Sequence, residues 1–208
     1  MLNTLAPLSP AMFFDCTFTV KRRKSRRYMR SSLVPNLSKL LGEEHFADLG
    51  FYWSDQGFHI DLLVRKPLTH VAFPNFRRGD SLEFLINTRE LTKVSVVTRF
   101  CHHFVFLPEE IENIQAHEVT RFRADDTHDL ADPKLFIVKV TPSRLEYRME
   151  IEIPNAALYG YDPETVTAIG FAYRVNRADG EPQHLPLSSR FFNLEKHPDL
   201  WATAHLGS

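Results

Sequence analysis

The feature that most constrains the fold is a strict alternation of apolar and charged side chains over residues 144–153. The apolar positions are Leu145, Tyr147, Met149, Ile151 and Ile153, and the charged positions are Arg144, Glu146, Arg148, Glu150 and Glu152. Successive side chains of a β-strand point to opposite faces, whereas a helix would not separate these two groups. In residues 82–87 Leu82, Phe84 and Ile86 likewise alternate with Glu83, Leu85 and Asn87. Both segments predict strands of an antiparallel sheet with one apolar and one polar face.

Similar patterns recur along the chain without the alternation of strands and helices that marks a parallel sheet. Further strands are predicted at 13–21, 49–53, 58–64, 94–107, 135–141 and 169–175, with a short helix within 36–47. The seventeen Phe residues also favour strands, because an aromatic ring packs well on a pleated, half-buried surface. The polar stretch 108–132 is predicted to be a long connection. The sequence therefore predicts a single all-β domain over 1–208, an antiparallel β-sandwich of jelly-roll type with minor helical turns.

Composition restricts the class of protein. An apolar content of 43% and a charged content of 25% are typical of a soluble globular protein. No apolar run approaches the ~18 residues of a membrane-spanning helix, and the N-terminus does not resemble a secretory signal. Two cysteines, Cys16 and Cys101, cannot form a disulfide framework and are expected to be free thiols, so we expect a cytoplasmic protein.

Positive charge is concentrated in one segment, from Lys21 to Arg30. It holds seven of the 25 Lys and Arg residues and no acidic residue. Such a segment could contact the phosphates of an anionic partner, although a solvated charged loop is the favoured interpretation.

Three segments resemble the family 9 carbohydrate-binding modules and the wider DOMON-like superfamily. They are residues 51–61, the run 79–87 that begins with Gly79-Asp80, and residues 149–158 continuing into 169–176. The resemblance implies a jelly-roll-like sandwich that holds a sugar between two tryptophans, with a glutamate, an arginine and an asparagine as hydrogen-bonding groups. By position, Glu83, Arg99 and Asn176 are similar to those three residues.

Strand periodicity independently selects a set of polar residues that overlaps with these three. It places Glu83 and Asn87 on the outward side of one strand and Arg99 and His103 on the outward side of the next. Trp53 resembles one of the stacking tryptophans, while the chain has Arg190-Phe191-Phe192 where the second is expected. The predicted ligand-binding residues are Trp53, Glu83, Asn87, Arg99, His103 and Asn176. A solvated sheet face with cross-strand charge pairs is the alternative.

The run Cys101-His102-His103 suggests a metal or haem site, completed by His117 or His128. Its spacing matches no zinc signature, and a buried, hydrogen-bonded histidine is the simpler interpretation. We therefore predict no metal and no cofactor.

Sequence motifs of catalysis are missing, since the chain contains neither a Gly-x-Ser-x-Gly elbow nor a His-Glu-x-x-His motif. The sequence predicts a non-catalytic binding module for a saccharide. The alternatives are an intracellular interaction or scaffold protein that uses the basic segment, and a haem-binding or metal-binding DOMON-like domain.

Overall fold

The computed structural model describes residues 15–23, 32–89, 94–123 and 125–207, which form eleven strands and one short α-helix. The helix α1 is Ser38–Leu41. The strands are β1 (Thr17–Arg22), β2 (Ala47–Ser54), β3 (Gly57–Val64), β4 (Ser81–Asn87), β5 (Cys101–Ile111), β6 (Ile114–Glu118), β7 (Ile137–Pro142), β8 (Tyr147–Pro154), β9 (Ala168–Asn176), β10 (Gln183–Leu185) and β11 (Ala202–Gly207). Short 3-10 turns lie at Phe76–Arg78, Pro133–Leu135, Asn155–Ala157, Leu194–Lys196 and Pro198–Leu200. The prediction of a mostly β protein is confirmed.

All eleven strands belong to one mixed sheet that nearly closes into a barrel. The strand order is β6-β5-β4-β9-β11-β1-β2-β3-β8-β7, and β10 pairs with β9. β1 runs parallel to both β11 and β2, while the other pairings are antiparallel. The prediction of a purely antiparallel sheet is therefore wrong at β1. Parallel neighbours need a long connection, which residues 23–46 provide, and periodicity within a strand carries no information about pairing direction.

The main core lies between the two halves of this sheet and is built largely of aromatic rings. Phe51 of β2 lies 5.2 Å from Phe84 of β4 and 5.0 Å from Phe171 of β9, measured between ring centroids. All three side chains are at most 1% exposed. Burying each such ring contributes ~1.5–3 kcal/mol, so contacts across the core hold the two halves together.

The period-two predictions are confirmed in the strands that carried them. In β8, Tyr147, Met149, Ile151 and Ile153 are buried in the main core. Leu145 is an exception, since it is 73% exposed. It precedes β8 in a turn where the Ser143 amide donates to the Glu146 carbonyl at 2.8 Å, so the alternation begins three residues before the strand does.

Three predicted elements have different bounds in the structure. β5 begins at Cys101 rather than at residue 94, and Arg99 lies in the turn before it. The predicted connection 108–132 contains the end of β5 and all of β6. The predicted helix within 36–47 is reduced to α1, because Gly42 adopts a left-handed conformation (φ 67°) that ends it.

Candidate functional site

The second face of β4, opposite the main core, carries the polar residues of the candidate site. Leu82, Phe84 and Ile86 pack in the main core, so the intervening residues, including Glu83, point to the other side. In the sheet register Glu83 lies opposite Val105 of β5 and Arg174 of β9. Loops cover this face, so Glu83 is only 1% exposed. The face is polar, as predicted, but it is enclosed rather than solvated.

Glu83 is the centre of a dense network of hydrogen bonds. Arg77 donates from Nε to Oε1 at 3.0 Å and from Nη2 to Oε2 at 2.8 Å. His103 Nε2 donates to Oε2 at 2.9 Å, and Asn176 Nδ2 donates to Oε1 at 2.9 Å. The Nε of Arg174 lies 3.6 Å from Oε1. We call these five residues the Glu83 cluster.

The network keeps Glu83 ionised despite its burial. Burial alone would raise the pKa of Glu83, but hydrogen bonds from His103 and Arg77 outweigh it and hold the pKa well below its usual range. Burial also opposes the charge of Arg77, yet its bonds to Glu83 keep the pKa of Arg77 above its ordinary value. Glu83 therefore holds two side chains, Arg77 and His103, in fixed positions.

A cleft of about 900 Å³ lies above the Glu83 cluster, and Arg77 and His103 form part of its floor. This volume is within the ~300–1,000 Å³ typical of small-molecule sites. Aromatic side chains line the cleft, namely Phe73, Phe76, Phe122 and Trp201. Its basic side chains are Arg77, Arg78, Arg121, Arg123 and Lys196. Among the described residues, Glu195 is the one carboxylate in the lining, and Arg77 Nη1 donates to it at 3.3 Å.

A second cavity lies on the outer face of β3 and β8, beside Tyr52, Asp61 and Glu152. Its volume is about 20 Å³. A space of that size holds one water molecule and no sugar ring, so the cleft is the better candidate for a ligand.

The structure brings three of the six predicted binding residues together, since Glu83, His103 and Asn176 belong to one cluster. Asn87 lies further along the same face of β4, buried, with its Oδ1 accepting from the Arg89 amide at 3.0 Å. The binding role of each residue stays a prediction.

Arg99 and Trp53 lie apart from the Glu83 cluster. Arg99 is exposed and pairs with Asp126. Trp53 lies on β2, four strands away from β4 in the sheet order, and donates from Nε1 to the Gly207 carbonyl at 2.9 Å. Neither residue lines the cleft. Aromatic and guanidinium groups are supplied there by residues that the sequence reasoning did not select.

Two members of the Glu83 cluster, Arg77 and Arg174, were missed from the sequence. Arg174 lies on the same alternation phase of β9 as Asn176, so periodicity could have found it. Arg77 lies in the 3-10 turn Phe76–Arg78, where no two-residue pattern exists.

The histidine run divides between the two faces of β5. Cys101 and His103 share the cleft side, as predicted, but burial raises the pKa of the Cys101 thiol and so disfavours the thiolate that binds metals. His102 instead points toward Glu118 and His128, and ligand atoms of these three residues lie within 4.8 Å of one another. His117 packs edge-on against Phe73, with ring centroids 5.6 Å apart.

Only the first three residues of the predicted basic segment are described, and two of them make specific contacts. Arg22 pairs with Asp55 and lies over the Trp53 ring, 5.3 Å from its centroid. Arg23 Nη1 lies 2.8 Å from His59 Nδ1. Residues 24–30 lie outside the described residues, and an anionic partner stays a prediction. In the described part of the chain, no helix has the length and apolar character needed to cross a membrane.

Comparison with solved structures places the fold among the family 9 carbohydrate-binding modules. The chain is similar to a family 9 module from Caldicellulosiruptor kristjanssonii in complex with glucose, with a TM-score of 0.62 and 17% identity over 92% of this chain and 96% of that one. It is also similar to a module of that family from the same organism in complex with cellotriose, with a TM-score of 0.61 and 16% identity over 92% and 94% of the two chains. No protein-family model and no curated protein sequence matches the chain. The predicted family 9 fold is confirmed, and the DOMON-like resemblance stays a prediction.

Proposed function

We propose that this protein is a non-catalytic saccharide-binding module that holds its ligand in the cleft above the Glu83 cluster. The observation that carries the proposal is the cleft itself, whose floor combines fixed hydrogen-bond donors with aromatic side chains. The fold supports it, since the two similar modules are seen with glucose and with cellotriose.

The floor of the cleft offers what a sugar ring needs. Planar polar groups bond pairs of hydroxyls, and flat aromatic surface packs on the C–H face of the ring. Arg77 lies over the Phe76 ring at 5.9 Å, and His103 meets Phe76 edge-on at 6.2 Å. Because Glu83 anchors Arg77 and His103 from below, little conformational entropy is lost when they bind a ligand.

The charge of the cleft narrows the class of saccharide. In the part of the chain that the structure describes, five guanidinium or ammonium groups line it against one carboxylate, Glu195. A neutral sugar would leave most of this charge unused, whereas a carboxylate, sulfate or phosphate group on the sugar would form charge-assisted hydrogen bonds with it. The proposed ligand is therefore an anionic saccharide.

The two carboxylates bonded to Arg77 are poorly suited to the general-acid step of glycoside hydrolysis. Glycoside hydrolysis needs one carboxylic acid with a raised pKa to protonate the leaving group. Although burial opposes it, the pKa of Glu195 is lowered by a backbone hydrogen bond and by Arg77, and that of Glu83 is also lowered. Both groups are held as carboxylates, so neither is suited to act as the acid.

We also infer that the two halves of the sheet act as the layers of a jelly-roll-like sandwich. The aromatic core between β2 and the β4–β9 pair supports this, because rings from both halves meet there. In that arrangement the cleft lies on the outer side of one layer and can be altered without disturbing the main core.

The test is a glycan array with neutral, uronic-acid, sulfated and phosphorylated sugars, followed by calorimetric titration of the best ligand. We expect acidic glycans to bind and binding to weaken as salt rises. Arg77→Ala should lower the affinity by tenfold or more. Arg65→Ala is the matched control, since Arg65 pairs with Asp48 and does not line the cleft, and it should bind as the wild type does.

Arg77→Ala also removes a positive charge that stabilises the buried carboxylate of Glu83. A second variant therefore tests the proposal in case Arg77→Ala does not fold. Arg121→Ala changes an exposed residue on the rim of the cleft and should weaken binding without affecting stability. If no glycan on the array binds, or if both variants bind as the wild type does, the proposal is wrong.

A further inference from the structure

His102, Glu118 and His128 form a second polar cluster that saccharide binding does not use. His102 lies on β5, Glu118 ends β6, and His128 lies in the segment that follows. Their side chains are at most 1% exposed. Nδ1 of His102 and Nε2 of His128 each lie 2.9 Å from the same carboxylate atom, Oε1 of Glu118. We call these three residues the Glu118 cluster.

The hydrogen bonds of His128 fix which of its nitrogens carries a proton. Nδ1 lies 2.6 Å from the backbone carbonyl oxygen of Arg99, so Nδ1 must donate. In a neutral imidazole the other nitrogen, Nε2, then presents a lone pair. This lone pair faces Glu118 Oε1, which is also an acceptor. Two acceptors at that distance repel each other, so the contact needs either a second proton, on Nε2, or a metal ion bound between the two atoms.

Both oxygens of the Glu118 carboxylate accept further hydrogen bonds. Oε1 also accepts from Thr120 Oγ1 at 2.6 Å, and Oε2 accepts from the Ala131 amide at 2.7 Å. Two imidazoles lie at Oε1 as well. Among the described residues, no guanidinium or ammonium group bonds to Glu118.

His102 completes the set of converging atoms. A neutral imidazole ring has one proton for two nitrogens. Nδ1 points at Glu118, while Nε2 is buried and makes no hydrogen bond with a described residue. With the proton on Nε2, the ring offers the lone pair of Nδ1 to a metal ion.

We propose that His102 Nδ1, His128 Nε2 and Glu118 Oε1 bind a divalent transition-metal ion such as Zn²⁺. Two imidazole nitrogens and one carboxylate suit zinc and its neighbours, whereas Ca²⁺ and Mg²⁺ prefer oxygen ligands alone. With metal–ligand bonds of ~2.0–2.2 Å, atoms 2.9 Å apart subtend ~90° at the metal, which a zinc site reaches with a small adjustment of the side chains.

The second ring nitrogen of His128 supports the assignment. Ligating histidines usually donate their other N–H to a carbonyl or carboxylate, and the bond from His128 Nδ1 to the Arg99 carbonyl has that form. Thr120, whose hydroxyl donates to Glu118 Oε1, lines the cleft, so the Glu118 cluster lies next to one wall of the cleft. A bound ion would also join β5, β6 and the segment after β6, and residues 119–123 of that segment form one wall of the cleft.

The test uses the full-length protein, stripped with a chelator, dialysed and titrated with Zn²⁺ and separately with Co²⁺. We expect one equivalent of metal by elemental analysis, a Co²⁺ absorption band in the visible region and a higher melting temperature with metal. His128→Gln should weaken binding by at least ~100-fold, because losing even an outer partner of a ligand costs 10–100-fold.

The matched control is His184→Gln. His184 is also a buried histidine that bonds a buried glutamate, with Nδ1 2.7 Å from Glu43 Oε1, and no second histidine reaches that pair among the described residues. This variant should bind metal as the wild type does. If His128→Gln fails to fold, the Co²⁺ spectrum of the wild type decides, because imidazole ligation changes the band of hydrated Co²⁺. Wild-type protein that binds less than a tenth of an equivalent, or His128→Gln that binds like the wild type, overturns the proposal.

Discussion

Glu83 and Glu118 are two buried glutamates that solve the same physical problem in different ways. Consecutive residues of β5 bond to them from opposite faces of the strand, His103 to Glu83 and His102 to Glu118. Glu83 also has two guanidinium groups, which are charged at every physiological pH. Among the described residues, the ionisable partners of Glu118 are imidazoles, whose charge depends on a proton. The first cluster is therefore a fixed scaffold, and the second responds to its surroundings.

The largest effect on the free energy of unfolding is expected when the carboxylate charge of Glu83 is removed, and removal of the carboxylate charge of Glu118 is the comparison. In chelator-treated protein, Glu83→Gln removes the counter-charge that Arg77 and Arg174 share and should cost about 3 kcal/mol in free energy of unfolding. This is the lower end for a broken buried pair, because Arg77 is partly exposed and keeps its contact with Glu195. Glu118→Gln leaves two imidazoles without their carboxylate and no guanidinium group unpaired, and it should cost only ~1–2 kcal/mol. Urea denaturation monitored by tryptophan fluorescence measures both. Equal costs would remove the distinction between the two clusters.

Acid titration of stability sharpens the same comparison. The folded pKa of Glu83 lies below the unfolded reference value of 4.5. Its contribution is therefore fully present above that pH and is lost progressively as the pH falls toward the lower folded pKa. The wild type should lose stability below about pH 4.5, and Glu83→Gln should show a shallower loss over the same range. Parallel curves for the two proteins would show that Glu83 does not set the acid limit.

The smallest effect on stability is expected for an ion pair between an arginine and an aspartate on the surface. Arg65 and Asp48 form an ion pair in which Arg65 is 48% exposed, so water screens the interaction. Arg65→Ala should lower the free energy of unfolding by ~0.2–1 kcal/mol. A loss comparable to that of Glu83→Gln would mean that burial does not distinguish the Glu83 cluster from surface pairs.

Strand periodicity determines which residues of the site could be predicted from the sequence. Glu83 and His103 were placed on one face because side chains of paired strands alternate, and the resemblance added Asn176. Arg77 was missed because it lies in a 3-10 turn with no alternation. Glu118 was missed because β6 lies inside the polar stretch taken as a connection, where a five-residue strand leaves little pattern. Arg99 was misplaced because the apolar alternation continues into the turn before β5.

The fold shows the same limit. Local sequence predicts that the strands exist and which residues of β4 and β8 are buried. It does not predict the parallel pairing of β1 with β2 and β11. That pairing joins residues far apart in the chain, and it depends on how the whole sheet closes rather than on any segment. The cleft shows the same limit. The strand face at its floor could be predicted from the sequence, but the loops and turns that surround this face could not.

The central claim is that the cleft above the Glu83 cluster binds an anionic saccharide. The most direct measurement is a crystal structure of the protein with the tightest-binding glycan from the array. We predict that the acidic group of the sugar lies within hydrogen-bonding distance of Arg77 or a rim residue such as Arg121, with a ring hydroxyl at His103. A sugar bound elsewhere on the surface, with the cleft filled only by water, would contradict the account.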